Sequence, residues 1–145
     1  MPRVLVVDDQ SHVRSAIVAA LEARGFGIAT AENGVEGLKL FRASKFDLVI
    51  ADIYMPGMDG VKLIKEMRAI DPNIAIVAIS GVLLRTTGRT ALDVLSMNRD
   101  LAGIATLQKP FRPSQLLQAI RRAVDLAAAP KATGRGAFAS NPPNP

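Results

Sequence analysis

The sequence predicts an α/β fold: five strands alternating with five helices, the strands forming one parallel sheet with right-handed crossovers and helices on both faces. Three observations lead there. Short, continuously apolar runs such as VLVV at Val4–Val7, LVIA at Leu48–Ala51 and IAIVAI at Ile74–Ile79 suit strands buried on both sides of a sheet. Amphipathic segments of helical length separate them. Several of the runs stop on a polar residue, and in a parallel sheet the residues that follow the strands collect along one edge.

The first strand, Arg3–Val7, ends on the pair Asp8-Asp9. Ser11 is the expected cap of the first helix, where Val13, Ile17 and Leu21 recur every fourth residue and Gly25 takes the stop position. Gly27–Ala31 is a weaker second strand. Asn33-Gly34 turns the chain into a short helix that buries Leu38 and Phe41. The third strand lies in Phe46–Gly60, FDLVIADIYMPGMDG, and ends on Asp52 before Met55-Pro56-Gly57 turns the chain sharply. Val61, Ile64 and Met67 line one face of a third helix, which Asp71-Pro72 ends. Ile74–Ile79 is the fourth strand and terminates on Ser80-Gly81.

Val82–Arg89 is poorly patterned, with breaks at Thr86-Thr87-Gly88. Leu92 and Leu95 then predict a fourth helix reaching about Asp100. Ile104–Leu107 is the fifth strand, followed by Gln108-Lys109-Pro110-Phe111. Pro113-Ser114 opens the last helix, with Leu116 or Leu117, Ile120 and Val124 facing inward. After Ala129 the composition turns to proline, glycine, alanine and asparagine. The expectation is therefore one domain over residues 1–129 and a disordered tail over 130–145.

A chain of 145 residues with 49% hydrophobic content has enough apolar surface for a real core. It lacks cysteine, so disulfide, thiolate-metal and cysteine-nucleophile chemistry drop out. Val4–Val7 is too short for a signal-peptide core, and no run approaches the roughly eighteen apolar residues of a membrane span, so the expectation is a soluble, cytoplasmic protein. The net charge of +5 includes Lys131 and Arg135 of the tail. With 4% aromatic residues and no compact basic cluster, a nucleic-acid surface is disfavoured.

The chemistry gathers at the sheet edge. That edge brings together Asp8 and Asp9, Asp52, Ser80 and Lys109. Three crowded carboxylates repel unless a cation joins them, and Mg²⁺ suits a few carboxylates, several waters and a substrate phosphate. Lys109 offers a mobile point charge and Ser80 a hydroxyl donor for phosphoryl oxygens, while Gly81 leaves room beside them. These residues describe an aspartate that accepts a phosphoryl group with metal help.

The order Asp-Asp, Asp with MPGMDG, Ser-Gly and Lys-Pro-Phe resembles the receiver domain of two-component response regulators, over roughly residues 3–128. The resemblance implies a flavodoxin-like, doubly wound five-stranded parallel sheet of order 2-1-3-4-5. It makes Asp52 the phosphoacceptor. Asp9, Asp52 and the Tyr54 carbonyl would ligate Mg²⁺, with Asp8 acting mainly through a bound water. Ser80 and Lys109 would grip the phosphoryl oxygens, and the bond before Pro110 would be cis. The donor would be a phosphohistidine on a sensor histidine kinase or a histidine phosphotransfer protein. A downstream target would bind the face between the fourth and fifth helices.

Two departures from the family pattern stand out. Three residues before the lysine, where the family carries Tyr or Phe as a rotating switch, stands Thr106. The Ser80-to-Lys109 segment is also longer than receivers generally show. Both features shift the expected conformational change to the fourth helix and its leading loop. Tyr54 and Val82 occupy the positions where the family tunes hydrolysis, and neither is an acid or amide suited to orienting water. The single histidine, His12, reads as a surface residue of the first helix. Asp47 precedes the acceptor strand, and Asp59 precedes the third helix.

The leading expectation is a stand-alone receiver with no DNA-binding domain, which shuttles phosphoryl groups in a relay or binds a target directly. A phosphorylation-independent interaction module is favoured only by Thr106. A flavin protein of the same fold is disfavoured because Asp8-Asp9 would repel the flavin phosphate. An aspartate-nucleophile phosphatase lacks the second acid, Tyr54 standing in its place.

Overall fold

The computed structural model describes residues 2–55, 58–80 and 103–128. In chain order the elements are β1 (Arg3–Val7), α1 (Ser11–Glu22), β2 (Gly27–Ala31), α2 (Gly34–Ala43), β3 (Leu48–Asp52), β4 (Tyr54–Met55), β5 (Met58–Asp59), α3 (Gly60–Ile70), β6 (Ala75–Ser80), β7 (Ala105–Gln108) and α4 (Pro113–Ala128). Five strands form one parallel sheet in the order β2-β1-β3-β6-β7. Numbered among themselves, these strands give the order 2-1-3-4-5, the flavodoxin-like arrangement.

The sheet sorts its apolar residues by parity. Leu5 and Val7 of β1 join Val49 and Ala51 of β3 in one cluster, closed by Leu38 and Phe41 of α2 and by Leu63, Ile64 and Met67 of α3. Val4, Val6, Leu48 and Ile50 face the other way, onto Ile17 and Leu21 of α1 and Leu116, Ala119, Ile120 and Ala123 of α4. Each large side chain withdrawn from water contributes roughly 1.5–3 kcal/mol, so the two clusters hold the sheet from both sides. All five residues of β3 are buried, which explains why its sequence is apolar without alternation. No helix among the described residues is long and apolar enough to cross a membrane.

Local signals set most boundaries. Asn33 caps α2, its Oδ1 accepting the Glu36 N–H at 2.8 Å, while Glu36 Oε1 accepts the Glu32 N–H at 2.9 Å. Gly25 follows α1 with a φ of 84°, the left-handed conformation that ends helices at glycine. Ser11 is not the cap of α1: Gln10 occupies that position, Ser11 is the first helical residue, and Gln10 makes no side-chain capping bond. The chain enters α1 through the Gln10 carbonyl, which accepts from Val13 and Arg14 N–H at 3.1 Å each.

In the last helix Val124 is 48% exposed, against the inward position expected of it. The buried stripe runs Leu116, Ala119, Ile120, Ala123, and Val124 points about 90° away from its middle. β6 and β7 each begin and end one residue later than the apolar runs suggest. The expected fourth helix and the tail lie outside the described residues.

Two features prepare the functional end. The register aligns Ala31, Val7, Ala51, Ala78 and Thr106 in one row across the whole sheet, one residue before Asp52. Beyond Asp52 the chain forms the small antiparallel pair β4–β5, Tyr54 opposite Asp59. α3 then starts hard against the end of β3. A Cβ on Gly60 would lie 2.3 Å from Ile53 Cα and 2.7 Å from the Asp52 carbonyl oxygen, so only glycine fits there.

Candidate functional site

The carboxyl ends of β1, β3, β6 and β7 converge on one polar cluster. Asp8 follows β1 and is fully buried; Asp52 ends β3 at 4% exposure; Asp9 is exposed. Buried carboxylates need partners, and here the main one is a cation carried in from the far end of the sequence. Lys109 Nζ donates to Asp52 Oδ2 at 2.9 Å and to Gln10 Oε1 at 2.8 Å, and makes an ion pair with Asp8 Oδ2 at 3.2 Å. Backbone bonds fix the lysine's strand: the Lys109 N–H donates to the Ser80 carbonyl at 2.7 Å. The Lys109–Pro110 peptide bond is cis.

Asp8 is clamped by its own neighbourhood. Its Oδ1 accepts the Gln10 N–H at 2.8 Å, its N–H donates to the Ala31 carbonyl at 3.2 Å, and its carbonyl accepts from the Arg14 guanidinium at 2.6 Å. Burial on its own would lower the Lys109 pKa. The hydrogen bond and charge of Asp52, joined by the charge of Asp8, outweigh it and hold the ammonium above the ordinary lysine range.

The donor set fits a hard divalent cation. One carboxylate oxygen each from Asp8, Asp9 and Asp52 lies within 4.8 Å of the other two. Asp8 Oδ2 is buried without a hydrogen-bond partner among the described residues, and its ion pair with Lys109 lacks hydrogen-bond alignment. An all-oxygen site of carboxylates, one of them open to solvent, matches what Mg²⁺ takes when it keeps several waters.

The fold thus brings together Asp8, Asp9, Asp52 and Lys109, with Ser80 at the end of the neighbouring strand. Tyr54 stands in β4, two residues past Asp52, where its backbone pairs with Asp59. Thr106 is half-buried in β7, and its carbonyl accepts from the Arg122 guanidinium at 3.2 Å. Gly81 and Val82 lie outside the described residues. Asp47 belongs to the opposite end of the sheet, where its Oδ2 accepts the Arg3 N–H at 2.8 Å. His12 is an exposed residue of α1.

Sequence reasoning missed Gln10 and Arg14. The available signal was spacing: Gln10 directly follows the acidic pair, and Arg14 comes one helical turn later, so both face the end of β1.

A family model for the response regulator receiver domain matches residues 4–121. Sporulation initiation phosphotransferase F of Bacillus subtilis is 28% identical, over 86% of this chain and 94% of its own length. Chemotaxis protein CheY of Thermotoga maritima is 32% identical, over 83% of this chain and 95% of its own. Against the transcriptional regulatory protein PrrA of Mycobacterium tuberculosis the identity is also 32%, but this chain spans only 48% of that protein's length. Among solved structures, the Vibrio cholerae chemotaxis protein CheY4 superposes with a TM-score of 0.74 at 27% identity, covering 85% of this chain and 98% of that one. With the family model spanning most of the sequence and the sheet order and acidic site in agreement with it, the chain belongs to the response regulator receiver domain family of two-component systems.

Proposed function

We propose that this receiver takes a phosphoryl group on Asp52 from a phosphohistidine and signals by binding a partner in the phosphorylated state. One observation carries the reading: a nearly buried carboxylate ends the central strand, hydrogen-bonded at 2.9 Å to Lys109 and flanked by two further aspartates. Asp8, Asp9, Asp52 and the Tyr54 carbonyl would hold Mg²⁺, which when bound neutralises charge on phosphoryl oxygens. In the transfer, an Asp52 carboxylate oxygen forms the O–P bond as the donor's P–N bond breaks, and the electron pair leaves on the imidazole nitrogen. Lys109 follows the charge from the Asp52 carboxylate to the phosphoryl oxygens, and the Ser80 hydroxyl donates to another of them.

The protein is a switch that assists its own phosphorylation and dephosphorylation, rather than an enzyme turning over a separate substrate. Its donor is a sensor histidine kinase or a histidine phosphotransfer protein in the cytoplasm, and its target binds the face that includes the last helix. Residues 1–129 make up the receiver, with 130–145 as a tail. A relay role is the second reading, supported by the similarity to a sporulation phosphotransferase over nearly that protein's whole length.

The test is intact mass after incubation with acetyl phosphate and Mg²⁺, and separately with a phosphorylated histidine donor, for wild type and Asp52→Ala. One added phosphate, absent from the variant and after chelation, is the expected result. A wild-type mass unchanged by both donors across a Mg²⁺ titration overturns the proposal.

A further inference from the structure

Gln10 holds a position that calls for a short capping side chain, yet its amide is spent elsewhere. Ser, Thr, Asp and Asn are favoured at a helix N-cap because their side chains reach the free N–H groups of the first turn. Gln10 makes no such bond. Its Oε1 accepts from Lys109 Nζ at 2.8 Å, across 99 residues of sequence, while its N–H holds Asp8 Oδ1 at 2.8 Å. Lys109 has three N–H donors. Among the described residues they meet Asp52 and Gln10 in hydrogen bonds and Asp8 in an ion pair, so Gln10 is the one neutral partner.

That difference matters during the reaction. The two carboxylates are the groups whose charge and partners change when a cation or a phosphoryl group arrives. The amide of Gln10 carries no charge to be neutralised and no oxygen to be esterified. We infer that Gln10 is a positioning residue for Lys109, keeping the ammonium at the mouth of the site when its carboxylate partners are engaged. The effect on phosphorylation rests on the reading of Asp52 as acceptor; the effect on the lysine itself does not.

The experiment therefore reads both. Gln10 is exposed, so its substitution leaves the fold intact. The first readout is water exchange of the Lys109 ammonium protons, followed by ¹H–¹⁵N spectroscopy and assigned by the signal missing in Lys109→Ala. Exchange is expected to rise roughly three- to tenfold in Gln10→Ala and Gln10→Met, the worth of one partly exposed hydrogen bond to a charged donor, and to stay slow in Gln10→Glu, which retains an acceptor of equal reach. Unchanged exchange in Ala and Met overturns the inference, whatever happens at Asp52.

The second readout is the initial rate of phosphorylation by acetyl phosphate at saturating Mg²⁺. Gln10→Ala is expected to lower it by a similar factor in the wild-type background and to have no effect in Lys109→Ala, since the two residues then act as one unit. An equal loss in both backgrounds assigns Gln10 a role independent of Lys109 and overturns the inference. A wild type that takes no phosphate sinks the acceptor reading alone, and ammonium exchange still decides for or against Gln10.

Discussion

Lys109 and Asp52 stand 57 residues apart in sequence and 2.9 Å apart in space, across the ends of two strands that do not pair with each other. β6 lies between them, and its Ser80 carbonyl anchors the Lys109 backbone. The ion pair therefore measures how faithfully three strands keep their relative height.

The first prediction concerns pH. A lysine whose pKa is raised on folding binds its proton more tightly in the native state than in the unfolded chain. Its contribution is complete below the ordinary lysine value, about 10.4, and is lost as pH climbs through the raised value. Urea midpoints of the wild type should fall over that alkaline window, and the Lys109→Met variant should lack this component. At neutral pH the variant should be less stable by roughly 3 kcal/mol, because Asp8 and Asp52 are left without their cation. Added Mg²⁺ should restore part of that loss. Parallel alkaline curves for the two proteins would contradict the assignment.

Gly60→Ala should be among the most damaging single-methyl additions in the chain. The new Cβ would sit 2.3 Å from Ile53 Cα, and the obstacle is backbone rather than a flexible side chain. α3 must then move away from the end of β3, at a cost of roughly 1–3 kcal/mol or more, seen as a lower denaturation midpoint. Because Asp52 ends that strand, the phosphorylation proposed for it should slow as well. A neutral effect on stability would mean that the close approach relaxes easily.

The phosphoryl group on Asp52 should be long-lived, lasting minutes or more. In the proposed reading, the positions two residues past Asp52 and past Ser80 in sequence are where a carboxylate or amide would orient the attacking water, and Tyr54 and Val82 are neither. Time-resolved intact mass in Mg²⁺ after donor removal measures this directly. Decay within seconds refutes it.

Thr106→Ala should leave the phosphorylation-induced conformational change in place. The link between this position and the last helix uses the Thr106 carbonyl, held by Arg122 at 3.2 Å, and survives any side-chain change. Arg122→Ala removes it, at roughly 0.5–1 kcal/mol for an exposed bond. Backbone amide shifts before and after phosphorylation compare the variants. Abolition of the shift changes by Thr106→Ala alone would show that the hydroxyl carries the switch.

Most of the fold could be read from the chain because the strands are buried on both faces and therefore nearly free of polar interruptions. That Asp8, Asp9, Asp52, Ser80 and Lys109 share one end of the sheet was legible by the same logic, since parallel strands fix which end each residue follows. Side-chain reach was harder. The preference of serine for helix caps favoured Ser11, and nothing local indicated that the longer side chain of Gln10 would cross to Lys109 instead. Val124 was misplaced because periodicity weighs large residues, whereas the buried stripe of α4 combines Leu116 and Ile120 with the small Ala119 and Ala123.

The row Ala31–Val7–Ala51–Ala78–Thr106 underlies the site with some of the smallest side chains available to a sheet. Such a stratum has little slack. Enlarging Ala51 or Ala78 would wedge the sheet from its helices directly beneath Asp52, and interiors this dense transmit such a wedge. Room for substitution is thereby left mainly outward, at loop tips and solvent-facing helix positions, where a change can be absorbed while Asp52 stays where it is.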